Sequence, residues 1–209
     1  TSGPQWLAEH ILKDRWVVAV AGTHGKTSTA SIVAWILEYA KLNPGFLIGG
    51  VPENFGVSAR LGDSPFFVVE ADEYDTAFFD KGPKFMHFRP AMTVLTSVEF
   101  DHADIFQDLN HVRTTFGGFL SRLDSASLLL AFDADENVKD LVAEARCRIE
   151  LYGHNDHSAW HLANVQIDAP WSRFDVLKYA KHFATFKTRL IGRHNLFNAL
   201  PVIAIADHL

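Results

Sequence analysis

Apolar and polar positions follow two rhythms along this chain. From Trp16 to Ala21 every position is apolar and several are β-branched. After a short turn, Ile32, Val33, Ile36 and Leu37 recur at helical spacing with no Gly or Pro among them. A short unbroken apolar run reads as a strand buried on both faces, and the spacing that follows reads as a helix. The pair repeats down the chain. Pro65–Val69, Ala91–Thr96, Ser127–Phe132 and Arg148–Gly153 read as buried strands, and Leu109–Leu123 and Asp135–Ala145 as helices, the first with a weak point at Gly117-Gly118. Trp6, Leu7, Ile11 and Leu12 place a leading helix in residues 1–15, and Phe46-Leu47-Ile48 is a short strand after the Asn43-Pro44-Gly45 breaker. Strands alternating with helices predict an α/β fold, a P-loop-type, mostly parallel sheet flanked by helices. Beyond Gly153 the rhythm changes. Asn164–Ile167, Phe174–Tyr179 and Phe183–Ile191 are extended stretches between turn residues, which predicts a small antiparallel β-sheet attached to the main one near the C-terminal end. An apolar helix then runs to Leu209.

Chemistry collects where the strands end. Gly22-Thr23-His24-Gly25-Lys26-Thr27 joins the first strand to its helix. Glycines permit close backbone approach, and the N–H groups and dipole of a helix start favour an anion. Lys26 can reach terminal phosphates, and the Thr27 hydroxyl can take a magnesium ion. The common phosphate loop has a Gly five residues before Gly25, where Val20 stands, so this loop is a shortened form. The competing reading is a glycine turn capping an ordinary helix.

A second cluster, Glu70-Ala71-Asp72-Glu73-Tyr74-Asp75, follows the strand ending at Val69. In open α/β sheets ligands lie beyond the carboxyl ends of the strands, so Glu70 is a candidate magnesium ligand. The roles of Asp72, Glu73 and Asp75 stay open. Ser97-Val98-Glu99-Phe100-Asp101-His102-Ala103-Asp104 follows a third strand, with His102 flanked by carboxylates able to orient an imidazole. The loop Gly49–Gly56 reads equally as a substrate-approaching segment and as a connection. Near the end, Asn195 and Asn198 share a helix face if the helix has begun, and amides can read an adenine edge. Asn195 as a plain N-cap is the simpler alternative.

Composition narrows the classes. The chain has 209 residues, nearly half of them apolar, and a net charge of −6. That excludes a disordered chain and argues against a general nucleic-acid or membrane-surface binder. No apolar run is long enough to span a bilayer, and no protein partner is evident. One cysteine, Cys147, precludes an intrachain disulfide and fits a reducing, cytoplasmic setting. The chain starts without Met and its last apolar run reaches Leu209, which predicts a piece of a longer protein.

Four blocks stand in order: residues 22–27, Glu70-Ala71-Asp72-Glu73, residues 99–104, and Gly192-Arg193-His194-Asn195 with Asn198-Ala199. Together they resemble the Mur ligase family, bacterial ATP-dependent amide ligases of cell-wall precursor synthesis. The resemblance covers residues 1–209 as the family's central ATP-binding domain, without the domain that holds the UDP-sugar or the C-terminal domain that closes over ATP. It is strongest, through residues 44–50, 54–60 and 72–81, to the branch that joins UDP-N-acetylmuramate to a recycled tripeptide amine, L-Ala-γ-D-Glu-meso-diaminopimelate. The resemblance implies ATP and Mg2+ as cofactors. It implies Lys26, Glu70 and His102 as the catalytic set, and a nucleotide site of Gly22, Thr23, His24, Gly25, Lys26, Thr27, Ser28, His194, Asn195 and Asn198. Thr27 and Glu70 would hold one metal, and His102 would serve a second. Three positions depart from the family pattern: Phe116 where several members carry a carbamylated lysine, Ser97 where an Asn is expected, and Pro201 where the family usually has a small helix former, a proline tolerated in the first turns of the last helix.

Overall fold

The computed structural model describes residues 1–77, 79–100 and 106–209. The chain opens with α1 (Gly3–Leu7), which passes directly into a π-helical turn over Ala8–Leu12. β1 (Trp16–Ala21), α2 (Lys26–Tyr39), β2 (Gly45–Leu47), the two-residue β3 (Ala59–Arg60) and β4 (Phe66–Glu70) follow. A small hairpin, β5 (Asp75–Ala77) and β6 (Asp80–Pro83), leads through one 3-10 turn to β7 (Met92–Leu95) and α3 (Leu109–Leu120). β8 (Leu128–Phe132), α4 (Glu136–Leu141) and β9 (Arg148–Gly153) complete the alternation. β10 (Trp160–Asp168), β11 (Trp171–Lys178), β12 (Lys181–Thr188) and α5 (Arg193–His208) end the chain.

Among the described residues ten strands form one sheet, in the order β12-β11-β10-β9-β8-β7-β1-β4-β2-β3. β1 pairs in parallel with β4 on one side and β7 on the other, so the strand order reverses beside it. A crevice opens at such a switch point, beyond the carboxyl ends of the strands. The antiparallel part is no separate sheet: β10 pairs in parallel with β9, and β11 and β12 extend the same sheet antiparallel to its edge. The hairpin β5–β6 forms its own two-stranded sheet.

The apolar strand runs are explained by cover on both faces. Val18 and Val20 pack with Val33 and Leu37 of α2 and Leu196, Leu200 and Ile205 of α5. Val17, Ala19 and Ala21 face the other way, toward Val112, Phe116 and Phe119 of α3 and Val138 of α4. α3 runs unbroken through Gly117-Gly118, where a glycine allows close packing. A Cβ on Gly118 would come within 3.2 Å of Met86 Cε, and one on Gly117 within 3.5 Å of Leu141 Cδ2. Phe116 is a buried core residue 5.2 Å from the Phe85 ring, so its departure from the family lysine is filled by packing. Pro201 sits in the third turn of α5, deeper than the first turns, because the helix already begins at Arg193. It is buried, and its missing N–H leaves the carbonyl four residues earlier without a helix partner. Among the described residues no helix is long and apolar enough to cross a membrane.

Candidate active site

The turn after β1 is shaped by its neighbours. Gly22 has φ +128°, and a Cβ there would lie 2.2 Å from Thr96 Oγ1 and 2.9 Å from the Ser97 backbone. Only glycine fits so tight a passage. The Thr96 hydroxyl donates to the His24 carbonyl at 2.6 Å. Thr23 N–H donates to the Ser97 carbonyl at 2.7 Å, and Glu99 N–H donates to Thr23 Oγ1 at 2.9 Å. Ser97 also accepts from His24 N–H at 3.1 Å through its hydroxyl, so the serine supplies a polar contact to the loop. The segment after β7 is itself clamped: Asp135, the N-cap of α4, accepts from Val98 N–H at 2.6 Å, and the Asn137 amide donates to the Val98 carbonyl at 2.7 Å. Gly25, at φ +79°, forms the N-cap of α2, and no side-chain hydrogen bond caps the helix start. A helix start leaves its first backbone N–H groups without intrahelical partners, the donors that an anion uses.

Lys26 is held inside the loop. Its ammonium donates to the Gly22 carbonyl at 2.6 Å and the Thr23 carbonyl at 3.2 Å, and lies 2.9 Å from Glu73 Oε2. Glu73 is almost fully buried, its side chain 2% exposed against 12% for Lys26. Of the three acids left open by the sequence, Glu73 therefore pairs with the loop lysine, and Asp72 pairs with Lys84 at 3.0 Å. One residue along, the Thr27 hydroxyl donates to Glu70 Oε1 at 2.8 Å, while Glu70 Oε2 accepts from Gly49 N–H at 2.7 Å. The start of the Gly49–Gly56 loop thus approaches the site closely. Thr27 and Glu70 form a pair of hard oxygen donors at a helix start. That suits magnesium, which takes one or two protein oxygens and completes its shell with water and phosphate.

Beside the loop lies a cavity of about 440 Å³ lined by His24, Gly25, Ser28, Glu99, Asn195 and Asn198, among others. His194, Thr96 and Ser97 also reach it. Asn198 leans over the loop, its Oδ1 2.5 Å from where a Gly25 Cβ would stand. Asn195 does not cap the helix. Gly192 is the N-cap, Asn195 N–H donates to the Gly192 carbonyl, and the Asn195 amide donates to the Ile191 carbonyl at 2.9 Å. Phe132, Tyr152 and Phe197 form an aromatic wall, with Phe132 and Phe197 centroids 5.5 Å apart. Burial, helped by the Asp133 charge, pushes the Tyr152 phenol far above the usual range, so it stays neutral. This wall has no signature along the chain, since its rings come from β8, β9 and α5 and read as ordinary core. His24 and Glu99 face each other at 3.8 Å, both exposed. His102, with Asp101 and Asp104, lies outside the described residues. Among the described residues no three His, Cys, Asp or Glu side chains gather as a metal cage.

The crevice therefore joins an anion-ready helix start, a lysine, a pair of oxygen donors and an aromatic-walled cavity bearing two amides. The chain matches the Mur ligase middle domain over residues 20–206. It belongs to the Mur ligase family. The UDP-N-acetylmuramate–L-alanyl-γ-D-glutamyl-meso-2,6-diaminoheptandioate ligase of Escherichia coli is 47% identical over 210 residues, covering 100% of this chain and 45% of that protein. The UDP-N-acetylmuramate–L-alanine ligase of Myxococcus xanthus is 34% identical over 205 residues, covering 98% of this chain and 42% of that protein. The crystal structure of the UDP-N-acetylmuramate:L-alanyl-γ-D-glutamyl-meso-diaminopimelate ligase from Neisseria meningitides superposes with a TM-score of 0.91 at 50% identity. It covers 100% of this chain and 66% of that one. The chain thus spans about half the length of the curated relatives it matches.

Proposed function

We propose that this Mur ligase middle domain is the ATP-binding part of a ligase that joins UDP-N-acetylmuramate to the amine of L-Ala-γ-D-Glu-meso-diaminopimelate. The observation that carries the site is the Thr27–Glu70 pair at 2.8 Å beside Lys26 at the start of α2. The substrate assignment leans on the higher identity to the tripeptide ligase than to the L-alanine ligase. Loop amides from residues 22–28 and the Lys26 ammonium cradle the β- and γ-phosphates. His194, Asn195 and Asn198 serve the base, with the Phe132–Tyr152–Phe197 wall beside them. Thr27 and Glu70 would hold magnesium, which supplies positive charge to the phosphate oxygens when bound. The role of His102 at a second metal is part of the same proposal.

The charges set the order of steps. A carboxylate and a triphosphate repel each other, and Lys26 with the helix start lowers that repulsion at the γ-phosphate. A muramate carboxylate oxygen attacks the γ-phosphorus and ADP departs, leaving an acyl-phosphate. The peptide amine then attacks the acyl carbon, the C–O bond to phosphate breaks, and the amine loses a proton as the amide forms. The test is a ligation assay on the full-length protein with UDP-N-acetylmuramate, tripeptide and ATP. One amide and one phosphate per ATP are expected. Phosphate release without amide, or amide only with free L-alanine, would overturn the assignment.

A further inference from the structure

The Lys26 ammonium has its donors engaged. An ammonium carries three N–H groups. Among the described residues three acceptors take them: the Gly22 carbonyl at 2.6 Å, the Thr23 carbonyl at 3.2 Å, and the Glu73 carboxylate, whose oxygens lie 2.9 and 3.1 Å away. A phosphate oxygen gains a hydrogen bond from this lysine only by displacing one of them. The two carbonyls belong to the loop itself. Glu73 does not: it stands 47 residues along the chain, past the end of β4. Its segment is braced on both sides. Ala71 N–H donates to the Val20 carbonyl at 2.8 Å, and Tyr74 N–H donates to Asp72 Oδ1 at 3.0 Å. Lys84 ties both flanks, its ammonium 3.0 Å from Asp72 Oδ2 and its backbone N–H donating to the Tyr74 carbonyl at 3.2 Å. Glu73 is thus delivered to the loop from a fixed segment. Stability alone does not call for the pair, since a buried ion pair is often no better than well-packed apolar residues of the same volume. What the carboxylate shares with a phosphate is negative charge and acceptor oxygens.

We propose that Glu73 is a positioning residue that competes with the nucleotide's phosphates for Lys26. It yields the lysine to the γ-phosphate and takes it back once that phosphoryl group has left, which speeds release of the nucleoside diphosphate. This rests on the nucleotide site and the ligation proposed above. The exchange is one of charge. A phosphate is more highly charged than a carboxylate, and the triphosphate brings one phosphate more than the diphosphate. The balance therefore tips to the nucleotide before transfer and to Glu73 after it. A nucleotide that takes the lysine must break the Lys26–Glu73 contact, and one that does not take it goes without the lysine. Either way the carboxylate weakens binding. Weaker diphosphate binding means faster product release, the step that sets kcat in many enzymes.

The test titrates the full-length protein, Glu73→Gln and Glu73→Asp with ADP and with a non-hydrolysable ATP analogue, magnesium present, by calorimetry. Glu73→Gln keeps the shape and removes the charge, so it is expected to bind both nucleotides about five- to tenfold tighter. ADP should then inhibit ligation at a correspondingly lower concentration. Glu73→Asp keeps the charge on a shorter arm and is expected to tighten ADP about two- to threefold. A carboxylate that only props up the loop predicts the opposite sign, with both variants losing nucleotide affinity as Tm falls. Unchanged or weaker ADP binding by Glu73→Gln, or by Glu73→Asp where Glu73→Gln does not fold, would overturn the proposal. The titration does not depend on turnover. Tighter ADP binding by the variants of a wild type that makes no amide would sink the ligation reading and leave the exchange standing. A wild type that ligates while its variants bind ADP no tighter would sink the exchange alone, and a full-length protein that binds neither nucleotide would overturn both.

Discussion

Replacing Glu73 by Gln probes whether the loop lysine is stored against a surrogate for phosphate. The Lys26 ammonium lies 2.9 Å from a carboxylate that is 2% exposed. Removing one partner of a buried ion pair costs about 3–5 kcal/mol. Here the lysine keeps the Gly22 and Thr23 carbonyls as acceptors and is 12% exposed. The loss should therefore be nearer ~2–3 kcal/mol, the residue of that penalty once two hydrogen bonds persist. For a domain of this size each kcal/mol shifts Tm by about 2–4 °C, so Glu73→Gln should melt roughly 4–12 °C below wild type. With a saturating magnesium complex of a non-hydrolysable ATP analogue, the γ-phosphate becomes the lysine's counter-charge and the deficit should shrink to about half or less. Calorimetric scans of both proteins with and without the analogue read the difference directly. An equal Tm deficit in both conditions, or none in either, would refute the pairing as the lysine's resting state.

Two further outcomes follow from the geometry. Gly22→Ala must carry a side chain at φ +128° and place a Cβ 2.2 Å from Thr96 Oγ1. Backbone strain of about 1–2 kcal/mol and overpacking of about 1–3 kcal/mol should lower Tm by roughly 4–20 °C, and a variant melting like wild type would contradict the loop geometry. Glu150 tests pH dependence. Burial opposes its charge, but hydrogen bonds from Trp160 and His208 and the charges of His208 and Arg148 outweigh burial and hold its pKa below 4.5. A depressed carboxylate pKa contributes stability that is present above the unfolded value and is lost as pH falls through the folded one. Wild-type Tm should therefore drop as pH falls below about 4.5, more steeply than that of Glu150→Gln, and parallel profiles would contradict the network.

How much of this was legible depends on where each signal lies. β1, the glycine turn and α2 are contiguous, so a double-faced strand and a helix start with Gly-Lys-Thr could be read in one stretch. Glu70 was legible because it ends a buried strand. Glu73 was not: only the fold, across 47 residues, decides whether an acid in a polar turn is solvated or paired. The same holds for the cavity wall, where Phe132, Tyr152 and Phe197 have the spacing of core residues. Asn195 looked like a cap because local hydrogen bonding favours that reading, yet the helix starts earlier at Arg193. The hairpin β5–β6 escaped notice because Asp80-Lys81-Gly82-Pro83 has no apolar alternation. The leading helix was foreseen, but its π-helical turn and the stacked Trp6–His10 pair have no periodic signature.

The most direct measurement is a calorimetric titration of the full-length protein with a non-hydrolysable ATP analogue, with and without magnesium, beside Lys26→Ala and Glu70→Ala. The crevice described here requires one binding site per chain, tighter with magnesium, with Lys26→Ala weakening it and Glu70→Ala abolishing the magnesium effect. Binding indifferent to both substitutions, or no binding by the full-length protein, would show that the turn after β1 is structural and that the nucleotide site lies elsewhere.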